Sequence, residues 1–200
     1  MGKELDNVFY NDVYKIGGSE EIYFKKYSET PWVEVWSEII NEIKLNNFKN
    51  VLDIGCGPGQ FADFLNDSIK NINFTGLDFS SVAIDYALKT VQNFTFICDN
   101  ALTFDFKKIN YDVVVITEFL EHIEQDLQVL SNLNSGVLIL ATLPNMDSEG
   151  HVRFLSKDFD TAKEEIMNHY GNICEIMHIK HYPYELNPTN GDYLIKMKLK

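Results

Sequence analysis

The feature that most constrains this chain is a glycine-rich turn within residues 51–61, VLDIGCGPGQF. Its short apolar start indicates a buried strand, and a helical pattern begins near Gln60. Gly55, Gly57 and Gly59 lie between the two, where residues without a Cβ let a ligand approach the main chain closely. The free N–H groups of the following helix face the same place. The segment therefore predicts a ligand pocket at the carboxyl end of a strand, where open α/β sheets bind ligands.

The spacing of these glycines distinguishes between two kinds of pocket. A dinucleotide-binding turn carries glycine at its first, third and sixth positions. Here the glycines occupy the first, third and fifth positions, Gln60 occupies the sixth, and Asp53 precedes the turn. The spacing disfavours a nicotinamide-dependent oxidoreductase. A purely structural turn between a strand and a helix remains an alternative at this point.

Two further strands end in polar residues that could contact a nucleoside. Residues 73–79 read as a strand that contains Asp78, nineteen residues after Gly59. A carboxylate at this place can accept two hydrogen bonds from a ribose diol. The next strand, 94–98, leads into Asp99, whose carboxylate could accept a hydrogen bond from an adenine amine. The alternative for Asp99 is an ordinary acid of a surface loop.

The rest of the chain alternates strands and helices. Residues 111–117 are continuously apolar, which is typical of a central parallel strand buried on both faces. A helix with Leu120 and Leu130 on its inner face follows, then a strand at 137–143, another helix, and two terminal strands. This order predicts a single α/β domain over 30–200, with helices on both faces of a parallel sheet. The aromatic-rich segment 1–29 could close over a ligand or pack on the sheet.

Charge and cysteine content restrict the expected partners and location. The net charge of −13 repels phosphate backbones and anionic lipid surfaces, so nucleic acid is an unlikely partner and no membrane association is expected. The three cysteines are far apart and resemble small apolar residues of a reducing compartment. The start of the chain has no apolar core typical of a signal peptide, and no apolar run approaches membrane-spanning length. We therefore expect a cytoplasmic protein, and no feature of the sequence indicates its oligomeric state.

Segments 51–61, 75–80, 98–101, 111–122 and 136–145 together resemble the successive motifs of the class I S-adenosylmethionine-dependent methyltransferases, in particular those that act on small molecules. The resemblance implies a Rossmann-like methyltransferase fold. This fold is α/β, with a doubly wound seven-stranded sheet that is mostly parallel and has a terminal antiparallel strand. It also implies S-adenosyl-L-methionine as the cofactor.

The resemblance further implies a set of cofactor contacts. It assigns Asp53 to the methionine amine and places Gly55, Gly57 and Gly59 along the methionine and ribose. It assigns Asp78 to the ribose hydroxyls, and it assigns to the adenine the residues Phe79, Asp99, Asn100 and Ala101. Thr117 and Glu118 are assigned to the sulfonium and methionine.

The expected reaction is methyl transfer to an oxygen or nitrogen of a small molecule, such as a quinone, a sugar or glycan, or another metabolite. An oxygen nucleophile with a high pKa also needs a base. His122 and His151 are the histidines that fall in predicted pocket loops, so they are the candidate catalytic residues, with packing or surface roles as the alternative. The main interpretation needs no metal.

Two other functions are compatible with the same motifs. Glu118, Glu121, His122 and His151 could form an oxygen and nitrogen metal site. This set resembles that of small-RNA 3′-terminal 2′-O-methyltransferases, whose metal binds the terminal ribose hydroxyls; the net charge argues against an RNA acceptor. The chain could also be a non-catalytic S-adenosylmethionine-binding module, which the intact glycines and Asp78 disfavour.

Overall fold

The computed structural model describes residues 3–200. Residues 1 and 2 lie outside the described residues; they belong to the predicted 1–29 segment and to the start that is expected to lack a signal peptide. The strands are β1 Asn50–Ile54, β2 Asn73–Asp78, β3 Thr95–Cys98, β4 Val113–Ile116, β5 Leu138–Pro144, β6 Cys174–Tyr184 and β7 Asn187–Leu199. The α-helices are α1 Asn7–Ile16, α2 Val33–Leu45, α3 Gln60–Ser68, α4 Ser81–Thr90, α5 Asp126–Ser131 and α6 Phe159–Tyr170.

The strands form one seven-stranded sheet in the order β3-β2-β1-β4-β5-β7-β6. The pairs among β1 to β5 are parallel, and β7 runs antiparallel to both β5 and β6. The predicted doubly wound, mostly parallel sheet with a terminal antiparallel strand is therefore confirmed. The strand order reverses between β1 and β4, which makes the carboxyl ends of these two strands the expected ligand crevice.

Both faces of the sheet are covered by apolar packing. Val113 and Val115 of β4 belong to a cluster that includes α2 and α3, whereas Val114 and Ile116 belong to a cluster that includes α5 and α6. Alternate residues of a strand point to opposite faces. This explains why the central strand is apolar at every position. No helix within residues 3–200 has the length and apolar character needed to cross a membrane.

The predicted continuous helix from Leu120 to Leu130 is wrong. The structure has a short 3-10 turn at Leu120–His122 and then the separate helix α5. The physical reason is that other groups take the carbonyls which a continuous helix would use. The Arg153 guanidinium donates to the carbonyls of Leu120 and Ile123, and Val152 N–H donates to that of Glu121, 2.7 Å away. The turn keeps Glu121 and His122 close to the end of β4.

Candidate cofactor and acceptor site

The glycine turn after β1 depends on residues without side chains. Gly55, Gly57 and Gly59 have φ values of +79°, +52° and +86°, in the left-handed region that favours glycine. A Cβ on Gly55 would lie 2.4 Å from the Phe119 ring. The N–H groups of Gly55 and Cys56 donate to the Leu77 carbonyl at 2.8 and 3.0 Å, which fixes the turn against β2.

Gly59 has a different role from the other two glycines. A Cβ there would lie 3.1 Å from Cα and Cβ of Ala87, so this glycine allows α3 to pack closely on α4. It also begins α3 without a side-chain cap. Among residues 3–200, Gly59 is not part of the wall of either cavity described below. The expected cofactor contact of Gly59 stays a prediction.

Asp78 lies between the glycine turn and the start of α4. One carboxylate oxygen accepts from Gly57 N–H at 2.9 Å, and the other accepts from Ser80 N–H at 2.8 Å. The residue is 7% exposed. Burial raises the pKa of Asp78 to about 6, and the hydrogen bonds from Ser80 and Gly57 oppose this rise. A carboxylate has about four acceptor sites, so it can also accept from a ribose diol.

The first cavity brings together most of the residues predicted for the adenosyl group. Its wall contains Gly55, Asp78, Phe79, Asp99, Asn100, Ala101, Glu118 and His122. These residues lie at or after the carboxyl ends of β1, β2, β3 and β4. The loops after four strands therefore converge on one space, as the motif order implied.

The second cavity shares Gly55 and Glu118 with the first one. Its wall also contains Asp53, Gly57 and Thr117, which were predicted for the methionine end of the cofactor. Asp53 is 1% exposed, and its Oδ1 atom has no hydrogen-bond partner within the described chain. Burial, and secondarily the charge of Asp78, raises the pKa of Asp53 well above its ordinary value. A buried carboxylate oxygen without a partner suits a ligand that carries a hydrogen-bond donor such as an ammonium group.

Glu118 connects both cavities to β5 and β7. Its φ is +53°, an unusual backbone conformation for a residue with a side chain. Thr142 Oγ1 accepts from Glu118 N–H at 3.0 Å and donates to the Glu118 carboxylate at 3.1 Å. Burial raises the pKa of Glu118. Burial and the charge of Glu118 together raise the pKa of Asp192, whose carboxylate accepts a hydrogen bond from the Tyr184 hydroxyl at 2.9 Å. No sequence pattern indicated Asp192 or Tyr184, because both residues come from the terminal hairpin.

The two candidate catalytic histidines form a pair. His122 Nδ1 lies 3.2 Å from the Gly150 carbonyl, and His151 Nδ1 lies 3.1 Å from the Met146 carbonyl. Because a carbonyl only accepts, both rings carry their proton on Nδ1 and a lone pair on Nε2. The ring centroids are 4.8 Å apart. Burial lowers both pKa values, that of His122 to about 4, so both rings are neutral at neutral pH.

Glu121 completes a possible metal-binding group with these histidines. Its carboxylate is fully buried, and neither oxygen has a hydrogen-bond partner among residues 3–200. One ligand atom from each of Glu121, His122 and His151 lies within 4.8 Å of the others. Glu118, the fourth member of the predicted set, is not part of this group and bonds Thr142 instead.

The N-terminal segment covers the site. The Tyr10 ring lies 5.4 Å from that of Phe79 and 5.6 Å from that of His122. Asn11 Oδ1 accepts from the Ser80 hydroxyl at 2.7 Å, so α1 is fixed to the start of α4. Gln60 Nε2 donates to the carbonyls of Ile22 and Lys25 further along the segment. Tyr10, Tyr14 and Tyr23 all contribute to the wall of the first cavity.

Comparisons with known proteins agree with this geometry. Residues 51–137 match a family model described as a methyltransferase domain. A ribosomal RNA large subunit methyltransferase E from Brachyspira hyodysenteriae is 33% identical over 166 residues, which cover 76% of this chain and 72% of that protein. The chain belongs to the class I S-adenosylmethionine-dependent methyltransferases. The methyltransferase uses S-adenosyl-L-methionine, which the glycine turn, Asp53 and Asp78 fit.

Two other similarities describe how far the relationship extends. A malonyl-[acyl-carrier protein] O-methyltransferase from Bacillus cereus is 30% identical over 124 residues, which cover 58% of this methyltransferase and 44% of that protein. The chain spans less than half the length of three curated relatives that it matches. The crystal structure of a magnesium protoporphyrin IX methyltransferase from Synechocystis PCC 6803 with bound S-adenosylmethionine has a TM-score of 0.69, 12% identity and full coverage of both chains. That likeness shows the fold.

Proposed function

We propose that this methyltransferase transfers a methyl group to an oxygen or nitrogen of a small molecule, such as a quinone, a sugar or glycan, or another metabolite. The observation that carries the proposal is the cover over the site. Tyr10 packs against both Phe79 and His122, so the nucleophile has to reach a space that α1 encloses. The net charge of −13 supports a small acceptor over RNA, because it repels a phosphate backbone.

The expected chemistry follows from the donor and from the groups around it. S-adenosylmethionine supplies an activated methyl group on a positively charged sulfur. The protein holds the nucleophile in line with this methyl group, which can contribute several orders of magnitude to the rate. The Nε2 lone pair of one of the two histidines, His122 or His151, accepts the proton of an oxygen nucleophile, and the backbone carbonyls at Nδ1 hold both rings in the required tautomer.

The acceptor class is tested with methyl-labelled cofactor and a cell extract separated into a fraction below about 1 kDa, an RNA fraction and a protein fraction. We expect enzyme-dependent label in the small-molecule fraction. The Asp78→Ala variant serves as the control for enzyme dependence, because it removes the expected ribose contact. Label confined to the RNA or the protein fraction would refute the proposed acceptor class.

The base is tested once an acceptor is in hand. His122→Asn and His151→Asn should lower kcat for an oxygen acceptor by about 10²- to 10⁴-fold, the usual contribution of general-base catalysis. His178→Asn, on the exposed side of β6, is the matched control and should leave kcat unchanged. Unchanged kcat in both site variants would assign the pair to packing.

A second candidate function has support from Glu121. Two neutral histidine lone pairs and a buried carboxylate without a partner form a ligand set that suits a first-row divalent metal. In this candidate Glu121, His122 and His151 would hold the metal, which would supply Lewis-acid activation of the vicinal hydroxyls of an acceptor, for example those of the 3′-terminal ribose of an RNA. The orientation of both Nδ1 atoms by backbone carbonyls is the usual outer-shell arrangement of metal-binding histidines.

Metal analysis separates the two candidates. For the metal-dependent candidate we expect about one equivalent of divalent metal on purified protein, loss of this metal in Glu121→Gln, and loss of activity with EDTA. Periodate oxidation of an RNA substrate, which destroys its terminal diol, should then abolish methylation. Full activity after EDTA treatment would reject the metal-dependent candidate and leave the histidines as bases.

A further inference from the structure

Three side-chain atoms without a hydrogen-bond partner in residues 3–200 occur in the wall of the second cavity, namely the indole Nε1 atoms of Trp32 and Trp36 and Oδ1 of Asp53. The indole Nε1 of Trp36, a residue 5% exposed, has no hydrogen-bond partner in the described part of the chain. Asp53 Oδ1, on the strand that leads into the glycine turn, also lacks one. Buried polar atoms in native proteins are nearly always hydrogen-bonded, so each unpaired atom needs an explanation. Two indole donors and one carboxylate acceptor around a single cavity indicate a ligand that carries both kinds of group. Trp36 is buried whereas Trp32 is half-buried, so the unpaired N–H of Trp36 has the greater need of a ligand partner.

The cavity wall restricts which groups can bind the acidic part of such a ligand. Within residues 3–200, no lysine or arginine contributes to the wall of this cavity. The side-chain amide of Gln60 donates to the carbonyls of Ile22 and Lys25, so it is already occupied. The donors for an anion are therefore neutral N–H groups. The first turn of α3, which has no side-chain cap at Gly59, adds the positive end of a helix dipole beside them.

We propose that Trp36 is a positioning residue that donates its indole N–H to the α-carboxylate of the methionine part of the cofactor, opposite Asp53, which accepts from the α-ammonium group. Trp36 comes from α2, outside the residues 51–137 that match the family model. The contact holds the amino-acid end of the cofactor and thereby the orientation of its sulfur. This assignment depends on the cofactor alone and is independent of the acceptor proposed above.

The proposal is tested by calorimetry with two ligands that differ in the amino-acid part. S-adenosylhomocysteine has this part, and 5′-methylthioadenosine lacks it. Trp36→Phe removes the N–H and keeps an aromatic ring against Phe61, whose centroid lies 6.0 Å away. We expect its Kd for S-adenosylhomocysteine to rise by about 10- to 100-fold, the range for a hydrogen bond to a charged group, and its Kd for 5′-methylthioadenosine to change less than about twofold.

Tyr182→Phe is the matched control, because Tyr182 also has a buried, unpartnered hydroxyl but is not in the wall of this cavity. It should leave both Kd values unchanged. Equal weakening of both ligands by Trp36→Phe, or weakening of neither, would overturn the proposal. If Trp36→Phe does not fold, the wild-type protein decides. A decarboxylated analogue of S-adenosylhomocysteine should then bind at least about tenfold more weakly than the parent, and equal affinity would refute the carboxylate contact.

Discussion

The most informative perturbation is the protonation of Asp78. Its two oxygens accept from Gly57 N–H at 2.9 Å and from Ser80 N–H at 2.8 Å, and burial raises its pKa to about 6. In the expected cofactor contact, hydroxyl groups of the ribose would donate to the ionised carboxylate. Cofactor affinity should therefore fall as the pH falls through about 6, because a rising fraction of the free protein carries the protonated form.

The size of this effect follows from the pKa of about 6. About nine tenths of the Asp78 side chains are ionised at pH 7, and about one tenth at pH 5, one unit below a pKa of about 6. The apparent Kd equals the intrinsic Kd divided by the competent fraction, so it should rise about tenfold between pH 7 and pH 5. Asp78→Asn has no charge to lose, and its amide can satisfy only one of the two backbone donors. Its Kd should be raised by about 10- to 100-fold at pH 7 and should change little with pH.

Calorimetry with S-adenosylhomocysteine at half-unit steps from pH 5 to pH 8 measures both quantities, and a thermal melt at each step verifies that the protein stays folded. Asp53 also has a raised pKa, to which the charge of Asp78 contributes, so both titrations are repeated in an Asp53→Asn background, where Asp53 no longer titrates. The reasoning is refuted if the wild-type Kd is flat over this range, or if Asp78→Asn retains the full wild-type slope.

Three further predictions concern stability. Gly55→Ala should lower the free energy of unfolding by more than Gly136→Ala, because both glycines have positive φ but, of the two, only Gly55 has an aromatic ring 2.4 Å from the added Cβ. Urea titration measures both losses, and equal losses would contradict the clash. Arg153→Ala should cost about 2 kcal/mol because it removes the guanidinium 2.9 Å from the buried Asp126, which keeps its contacts with Tyr170 and His169, and a loss below about 1 kcal/mol would contradict this. The pKa of Asp78 is raised from 3.8 to about 6, so the free protein should be about 3 kcal/mol less stable above pH 6 than below pH 4. The difference in the free energy of unfolding between wild type and Asp78→Asn should change by that amount over this pH range, and a constant difference would refute the prediction.

The sequence was most informative where function depends on local backbone geometry. The turn at Gly55 and Gly57 requires positive φ, and the acid at Asp78 follows at a fixed distance, so neighbouring residues in the chain carry the whole signal. The parallel strands β1 to β4 could be read for the same reason, since each is a short apolar run between turns. Strand direction then brings their carboxyl ends to one edge of the sheet.

The missed features all depend on contacts between distant parts of the chain. Asp192 lies beside Glu118 because β7 inserts next to β5, and a single acid in a terminal strand gives no indication of this. The helix predicted from Leu120 is interrupted because Arg153, 33 residues later, takes its carbonyl. Periodicity describes only one face of one element, so it cannot detect a competing hydrogen-bond donor from elsewhere.

A common electrostatic property connects the site residues that were predicted with those that were not. Asp53, Asp78, Glu118, Glu121 and Asp192 all have pKa values raised by burial, and in each case this is the largest cause. Buried acids without basic partners destabilise a fold, because ionising them in a low-dielectric interior is costly. Three of these acids, Asp53, Asp78 and Glu118, contribute to the walls of the two adjoining cavities. This placement is understandable if the occupant is a cation, since a sulfonium and an ammonium group restore the charge balance that the protein itself lacks. The same argument implies that the cationic cofactor should bind more tightly than its neutral-sulfur product, which favours the release of the product after each transfer.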